Sequence, residues 1–451
     1  MSRVFTFDFF KWFYPGMHIK RWLALIVIGV AIMTFGLGYV VRELYTEGLR
    51  LPGFMYWTTL QFIPRYFRGA MFMSGAVGLI LFSIWKLNQS IISVVAPHRD
   101  TNESLVNTIY TQRFLRRGPK IVAIGGGHGL STLLRGLKEY TTNLTAIVTV
   151  ADDGGSSGVL RRELGVLPPG DVRNCIAALA DAEPLVTKLF QYRFEDGAGL
   201  AGHSFGNLFI VAMSGVTGNM EDAIRQTSRV LAVRGQIIPS TMEDVTLCAH
   251  IDDKRTIQGE SSIGPAVSNG SKARISEVYL APENPPAHPE AVRAILEADL
   301  IVLGPGSLYT SVLPNLLVQG IRRSLVATPA PKVYVCNVAT QPGETDSFSV
   351  ADHVAAIEDH VGKGVINYVL ANDNVTDVIP QAEKAAPVRV ITPINNGLRL
   401  VTSDVVAEEN RYHHDSTKLA EAILRIYDDR DQMAHAVSVP EQDLVTAVDG
   451  R

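Results

Sequence analysis

The feature that most constrains this 451-residue chain is a pair of apolar runs, each emptying into a glycine cluster that opens a helix. Residues Lys120–Tyr140 read KIVAIGGGHGLSTLLRGLKEY, and ADLIVLGPGSLYTSVLPNLL repeats the arrangement from Ala298. A β-branched run, then glycines, then a helical period predicts strand, tight turn and helix in that order. Glycine at such a turn lets backbone N–H groups approach an anion at the helix N-terminus. One such turn is also what a plain connection looks like. Two of them in one chain point to an anion cradle.

The same alternation continues through the C-terminal three quarters of the chain. Strands are expected at Ile121–Ile124, Thr145–Val150, Val245–His250, Leu300–Leu303, Lys332–Asn337 and Tyr368–Leu370. Helical patterns between and around them are Leu130–Glu139, Val172–Asp181, Asn207–Ser214, Met220–Val233, Pro289–Glu297 and Val350–Val361. Several strands are apolar throughout, as strands covered on both faces are. An α/β fold with a doubly wound, mostly parallel sheet follows, and its ligands are expected beyond the carboxyl ends of the strands. The stretch Gly235–Leu280 reads as an added antiparallel element. His413–Asp429 reads as a closing amphipathic helix capped by Asp415 or Ser416, with residues 431–451 expected to be disordered.

The loops after the strands hold the candidate site. The first is Gly125, Gly126, Gly127, His128, Gly129 and Ser131. It does not fit the dinucleotide spacing G-x-G-x-x-G, which would require glycine at Leu130 or Thr132, so an NAD(P) reading is weakened. The second, TVADDGGSSGVLRRELGVLPPGDVRN, offers Asp152 and Asp153 for a ribose or a metal, and Gly154, Gly155, Ser156 and Ser157 as small donors. Its stiff turn at Pro168–Asp171 leads to Asn174, and Arg161, Arg162 and Arg173 are candidates to face phosphate. The third, LAGHSFGNLF, matches the G-x-S-x-G elbow of serine hydrolases across Gly202–Gly206. That elbow needs a strand before the serine, and EDGAGLA is not one. His203, Ser204 and Asn207 read instead as polar groups lining a site at a helix start. The fourth loop supplies Gly304, Pro305, Gly306 and Ser307.

The N-terminus has a different character. Trp22–Val41 holds 20 residues without a charge, enough to cross a bilayer at about 1.5 Å per residue. Gly69–Trp85 is a second uncharged run, with Ala70, Ser74 and Gly78 as a ridge of small residues for helix packing. A two-helix transmembrane hairpin is therefore expected over 1–95, with spans at about 22–41 and 69–87. A linker at 96–119 would join it to a soluble domain at 120–430. Basic residues flank both ends of the hairpin and also its loop, so charge sets the orientation only weakly. The cytoplasmic side is preferred because nucleotides are found there. A net charge of −4 gives no basic footprint for nucleic acid. Cys175, Cys248 and Cys336 lie far apart, with neither disulfide nor zinc spacing.

Taken in order, GGGHGLSTLLRGLK, AIVTVADDGGSSGVLR, PPGDVRNCIAALAD, LFQYRF, LAGHSFGNL and GPGSLYTSVLPNLLV resemble the bacterial gluconeogenesis factor family, YvcK-like and UDP-sugar-binding. That family is related to the archaeal 2-phospho-L-lactate transferases (CofD-like). The resemblance spans residues 119–430 and does not reach the N-terminal hairpin. It implies a three-layer α/β/α sandwich with a Rossmann-like sheet. It also implies a regulator of cell-wall precursor supply and cell shape that binds UDP-N-acetylglucosamine or a similar nucleotide. The alternative it implies is a metal-dependent transferase moving a phosphate-containing group from a nucleotide diphosphate to an alcohol, with Asp171 or His203 as the base. Carried over, Gly125–Gly129 and Ser131 would hold phosphate, and Asp152 and Asp153 ribose or Mg2+. Asp171, Arg173, Asn174, His203, Ser204 and Asn207 would line the cleft, with Gly304–Ser307 on its opposite lip. His128 departs from the family, which usually has threonine there. Expected partners are the membrane, a cell-wall precursor enzyme and further copies of the chain.

Overall fold

The computed structural model describes residues 114–437 except 182–183, 253–254, 269–273, 376–384 and 392–396, together with scattered positions between 30 and 85. The chain divides into two units, Met1–Phe114 and Leu115–Arg451. Most of the two expected membrane spans lies outside the described residues. Among the described residues no helix is long and apolar enough to cross a membrane.

In the second unit β1 (Ile121–Gly125) leads through α1 (Gly127–Leu137) to β2 (Leu144–Val148). Five helices follow: α2 (Gly155–Leu164), α3 (Gly170–Leu179), α4 (Pro184–Gln191), α5 (Phe205–Thr217) and α6 (Met220–Val230), before β3 (Gln236–Pro239). A lobe of β4 (Thr246–Ile251), β5 (Thr256–Gln258), α7 (Glu260–Ser268) and β6 (Ile275–Ala281) precedes α8 (Pro289–Leu296) and β7 (Leu300–Leu303). A π-helical turn at Leu308–Val312 passes into α9 (Leu313–Leu316) and α10 (Gln319–Ala327). Then come β8 (Lys332–Val335), α11 (Val350–Val361), β9 (Tyr368–Asn372), β10 (Arg399–Ser403) and α12 (Ser416–Val437).

Seven strands form one parallel sheet in the order β10-β9-β8-β7-β1-β2-β3. The strands β1, β7 and β8 are buried along their whole length; β1 and β7 read as unbroken apolar runs for that reason, and β8 opens on Lys332, whose ammonium donates to the Leu325 and Thr328 carbonyls. From β1 the chain winds outward to β2 and β3, and from β7 it winds the opposite way. Right-handed crossovers then place α1 and α3 on one face of the sheet and α9, α10 and α11 on the other, and α12 returns to pack against α1. The sheet's topological switch point falls between β1 and β7.

Helix boundaries follow local chemistry. Ser349 and Asp352 form a capping box at α11. Asp415 accepts from the N–H groups of Thr417 and Lys418 at the start of α12, so it is the cap of the closing helix. That helix continues to Val437, past the expected end of the folded region, and residues 438–451 lie outside the described residues.

One expectation is corrected. The stretch from Gly235 is not one antiparallel element, because Gln236–Pro239 pairs parallel with β2 as the edge of the main sheet. Proline at the end of an edge strand costs no ladder bond there. Only β5-β4-β6 form the antiparallel sheet. Gly155–Ser157 form the first turn of α2, which ends on left-handed Gly165.

Candidate functional site

The two glycine loops leave adjacent strands at the switch point and are built against each other. Gly304 donates its N–H to the Ile124 carbonyl at 2.8 Å. Gly129 lies so close to the Pro305 carbonyl that no β-carbon fits between them. Asn315 donates from Nδ2 to the carbonyls of Gly125 (3.0 Å) and Ser311 (2.8 Å), fastening the turn after β7 to the end of β1. A further polar chain stiffens the second loop. Gly306 donates to Asn337 Oδ1 (3.2 Å), Asn337 Nδ2 to Gln341 Oε1 (3.4 Å), and Gln341 Nε2 to Ser307 Oγ (2.6 Å).

Above this junction opens a cavity of about 630 Å³. Of the expected site residues, Gly126, Gly127, His128, Gly129, Asp152, Gly154, Gly155, Ser156, Ser157, Asp171, Arg173, Asn174, Asn207, Pro305, Gly306 and Ser307 line it. Gly125 ends β1 and Gly304 ties the two strands; neither lines the cavity. Ser131 turns back to donate to the His128 carbonyl at 2.9 Å. Arg161 is held by Asp244 and the Val245 carbonyl, and Arg162 reaches the Asp153 carbonyl, so neither faces the cavity.

His203 and Ser204 act one step behind the surface. His203 Nδ1 and Asn207 Nδ2 both meet Ser156 Oγ, at 2.9 and 3.0 Å, joining the start of α5 to the first turn of α2. Ser204 caps α5 by accepting from the Asn207 N–H, and the Arg173 guanidinium donates to the same hydroxyl at 2.6 Å. Asn207 Oδ1 is buried without a partner, although an unpaired buried acceptor costs about 1–3 kcal/mol.

The cavity carries both signs of charge. His128, in the first turn of α1, lines it with Arg173, Arg193 and His413. Burial, with Arg173, His413 and Arg135, holds the His128 imidazole below its ordinary pKa. Asp152, Asp171 and Glu260 line the cavity too, Asp171 accepting from the Gly127 N–H at the start of α1, with half-buried Glu344 behind Thr310. Burial and mutual repulsion push Asp171 up to about 7 and Glu260 up to about 8, and burial pushes Glu344 up to about 7. Burial raises Asp152 as well.

The two carboxylates expected to meet a ribose or a metal ion diverge: Asp152 lines the cavity and Asp153 does not. Asp152 accepts from the Gly154 N–H at 2.9 Å, and Asp153 from the Ser261 N–H at 2.8 Å, outside the cavity lining. Among the described residues no group of three His, Cys, Asp or Glu side chains is set to hold a metal ion. Of the two, Asp152 alone is placed to meet a metal ion brought by a ligand in the cavity.

These raised acids set the sign of a stability experiment. A carboxyl whose pKa is higher in the folded than in the unfolded state holds extra protons when folded. Its stabilisation is present below the unfolded pKa and is lost as pH rises through the folded one. Histidines with lowered pKa values, His128, His353 and buried His414 (about 4), act in the opposite sense, but only below about pH 6.5. Between pH 6.5 and 8.5 the ligand-free protein is therefore expected to lose stability on the order of 3 kcal/mol. Calorimetric melts across that window should show the fall, and Asp171→Asn should remove about a quarter of it.

Sequence reasoning missed Glu260, Arg193, Asn337, Gln341 and His413. Asn337 and Gln341 follow β8, where the rule of ligands beyond strand ends would have found them. The tandem His413–His414 stood in plain view before the last helix. Glu260 arrives from the antiparallel lobe, and no local pattern announces it.

Residues 121–408 match the family model described as 2-phospho-L-lactate transferase CofD. The gluconeogenesis factor of Bacillus subtilis is 48% identical over 313 residues, covering 68% of this chain and 97% of its own. A Nostoc sp. relative is 47% identical over 433 residues, 93% of each chain. Among solved structures, a UPF0052 family member from Bacillus halodurans is 44% identical with a TM-score of 0.64, covering 68% of this chain and 99% of that one.

Proposed function

The chain belongs to the gluconeogenesis factor family with a CofD domain, and from that premise we propose that its cleft binds a nucleotide sugar of the UDP-N-acetylglucosamine type. The observation that carries the reading is the cavity at the switch point, lined by both basic and acidic side chains. Its basic side chains, His128, Arg173, Arg193 and His413, suit a diphosphate. Its carboxyls, protonated in part at neutral pH, suit an uncharged, hydroxyl-bearing group. The cavity volume of about 630 Å³ lies within the usual range for small-molecule sites.

In the same reading the chain is a regulator of cell-wall precursor supply and cell shape. It is tethered to the membrane by its N-terminal segment with the nucleotide-binding domain in the cytoplasm, works as a homo-oligomer and acts on a cell-wall precursor enzyme. The uncharged run Trp22–Val41 supports the tether. A thermal-shift screen tests the ligand. UDP-N-acetylglucosamine at 100 times its dissociation constant should add about 2.7 kcal/mol, whereas NAD and free nucleosides should add little. No shift with any UDP-sugar would remove the reading.

One observation favours a second reading, that of a transferase. Asp171 accepts from the Gly127 N–H at the mouth of the cradle, and its pKa of about 7 suits taking a proton from an alcohol. Magnesium would then enter with the substrate, carried by its diphosphate. Product formation from a nucleotide diphosphate and an alcohol, lost in Asp171→Asn, would support it; no turnover by the wild-type chain would end it.

A further inference from the structure

Glu260 is placed in the cleft by an unusual grip. Asp153 takes the Ser261 N–H at 2.8 Å on one side of it. On the other side the backbone of Gly259, at φ +94°, lies against the second oxygen of the same carboxylate, where no β-carbon fits. Between these two anchors the Glu260 side chain turns into the cavity.

Among the described residues it meets no hydrogen-bond donor and no cation. The charged groups acting on it are Asp152 and Asp153 from the loop after β2, Asp171 from α3 and Glu344 from the loop after β8, all of them acids. A carboxyl in that company keeps its proton at neutral pH and can both give and accept a hydrogen bond. An ionised phosphate would be repelled there. A sugar hydroxyl or amide would be satisfied.

We propose that Glu260 contacts the uncharged, hydroxyl-bearing part of the nucleotide sugar, and that Asp153 is the positioning residue that aims it. The inference rests on the nucleotide-sugar reading and deepens it. The ligand lies with its diphosphate toward His128, Arg173, Arg193 and His413, and its sugar toward the acid wall. Through Asp153 the antiparallel lobe becomes part of the binding site.

The test is calorimetric titration of UDP-N-acetylglucosamine into the full chain at pH 7 and pH 9, for wild type, Glu260→Gln, Glu260→Ala, Asp153→Ala and the double alanine variant. Wild-type affinity should fall about tenfold from pH 7 to pH 9 as Glu260 loses its proton. Glu260→Gln, which mimics the protonated carboxyl, should bind within about threefold of wild type at pH 7 and should lack Glu260's share of the fall. Glu260→Ala should bind about tenfold more weakly at pH 7. Asp153→Ala should do the same, and the double variant should be no weaker than either single one.

Wild-type affinity in Glu260→Ala, or the full alkaline fall persisting in Glu260→Gln, would overturn the inference. So would a large loss in Glu260→Gln at pH 7, because that result requires an ionised carboxylate. Additive losses in the double variant would overturn the role given to Asp153. Binding by wild type with no effect of any substitution defeats this inference alone. No binding by wild type at either pH defeats the nucleotide-sugar reading and the inference with it.

Discussion

Gly129→Val is expected to abolish nucleotide-sugar binding and to destabilise the domain by about 3 kcal/mol, the upper end of what overpacking a close contact costs. A β-carbon at 129 would overlap the Pro305 carbonyl oxygen, and would lie 2.6 Å from the Pro305 carbonyl carbon and 2.9 Å from the Gly306 nitrogen. All three are backbone atoms, so no side chain can swing aside. Nor can the loops part freely, since the Gly304–Ile124 and Asn315–Gly125 hydrogen bonds fasten the strands beneath them. The strain must separate the two cradles, and the cavity lies between them. Urea denaturation and a binding titration on the same preparation would check both halves. Gly165→Ala is the control: it is left-handed at φ +65°, and its surroundings are open. It should cost about 1 kcal/mol and leave binding alone.

Arg173→Ala should weaken binding about a hundredfold, within the 2–5 kcal/mol range for truncating one partner of a buried charged contact. The guanidinium lines the cavity, and it is a cation acting on both Asp171 and Asp152. It also organises the wall, donating to Ser204 Oγ at 2.6 Å and to Asn174 Oδ1 at 2.8 Å. Without it the cleft keeps its acids and loses a central positive charge, so an anionic ligand meets net repulsion. Arg173→Lys keeps the charge but not the fork that spans Ser204 and Asn174, and should fall between the two. Affinity measured at two salt concentrations separates the effects. The charge component weakens with salt, and the positioning component does not.

The cradles were legible in the sequence because a strand entering glycines and leaving as a helix is a local pattern. Gly125–Gly129 and Gly304–Ser307 are contiguous, and the parallel sheet brings them together. The buried strands could be read for the same reason, since both faces of β1 and β7 are covered and no alternation interrupts them. What sequence could not give was direction. Asp152 and Asp153 are neighbours in the chain, yet one faces the cavity and the other reaches out to α7. In sequence Gln236–Pro239 reads as part of the antiparallel element because a four-residue strand carries too little pattern to name its partner. Glu260 joins the acid wall only through the packing of a lobe formed a hundred residues after Asp152, and Arg161 was drawn off by Asp244.

The most direct test of the central claim is a calorimetric titration of UDP-N-acetylglucosamine into the wild-type chain at pH 7, run in parallel with Arg173→Ala. The predicted result is saturable binding at one site per chain, weakened about a hundredfold by the substitution. Absence of binding at millimolar ligand, or equal affinity in the two proteins, would contradict it.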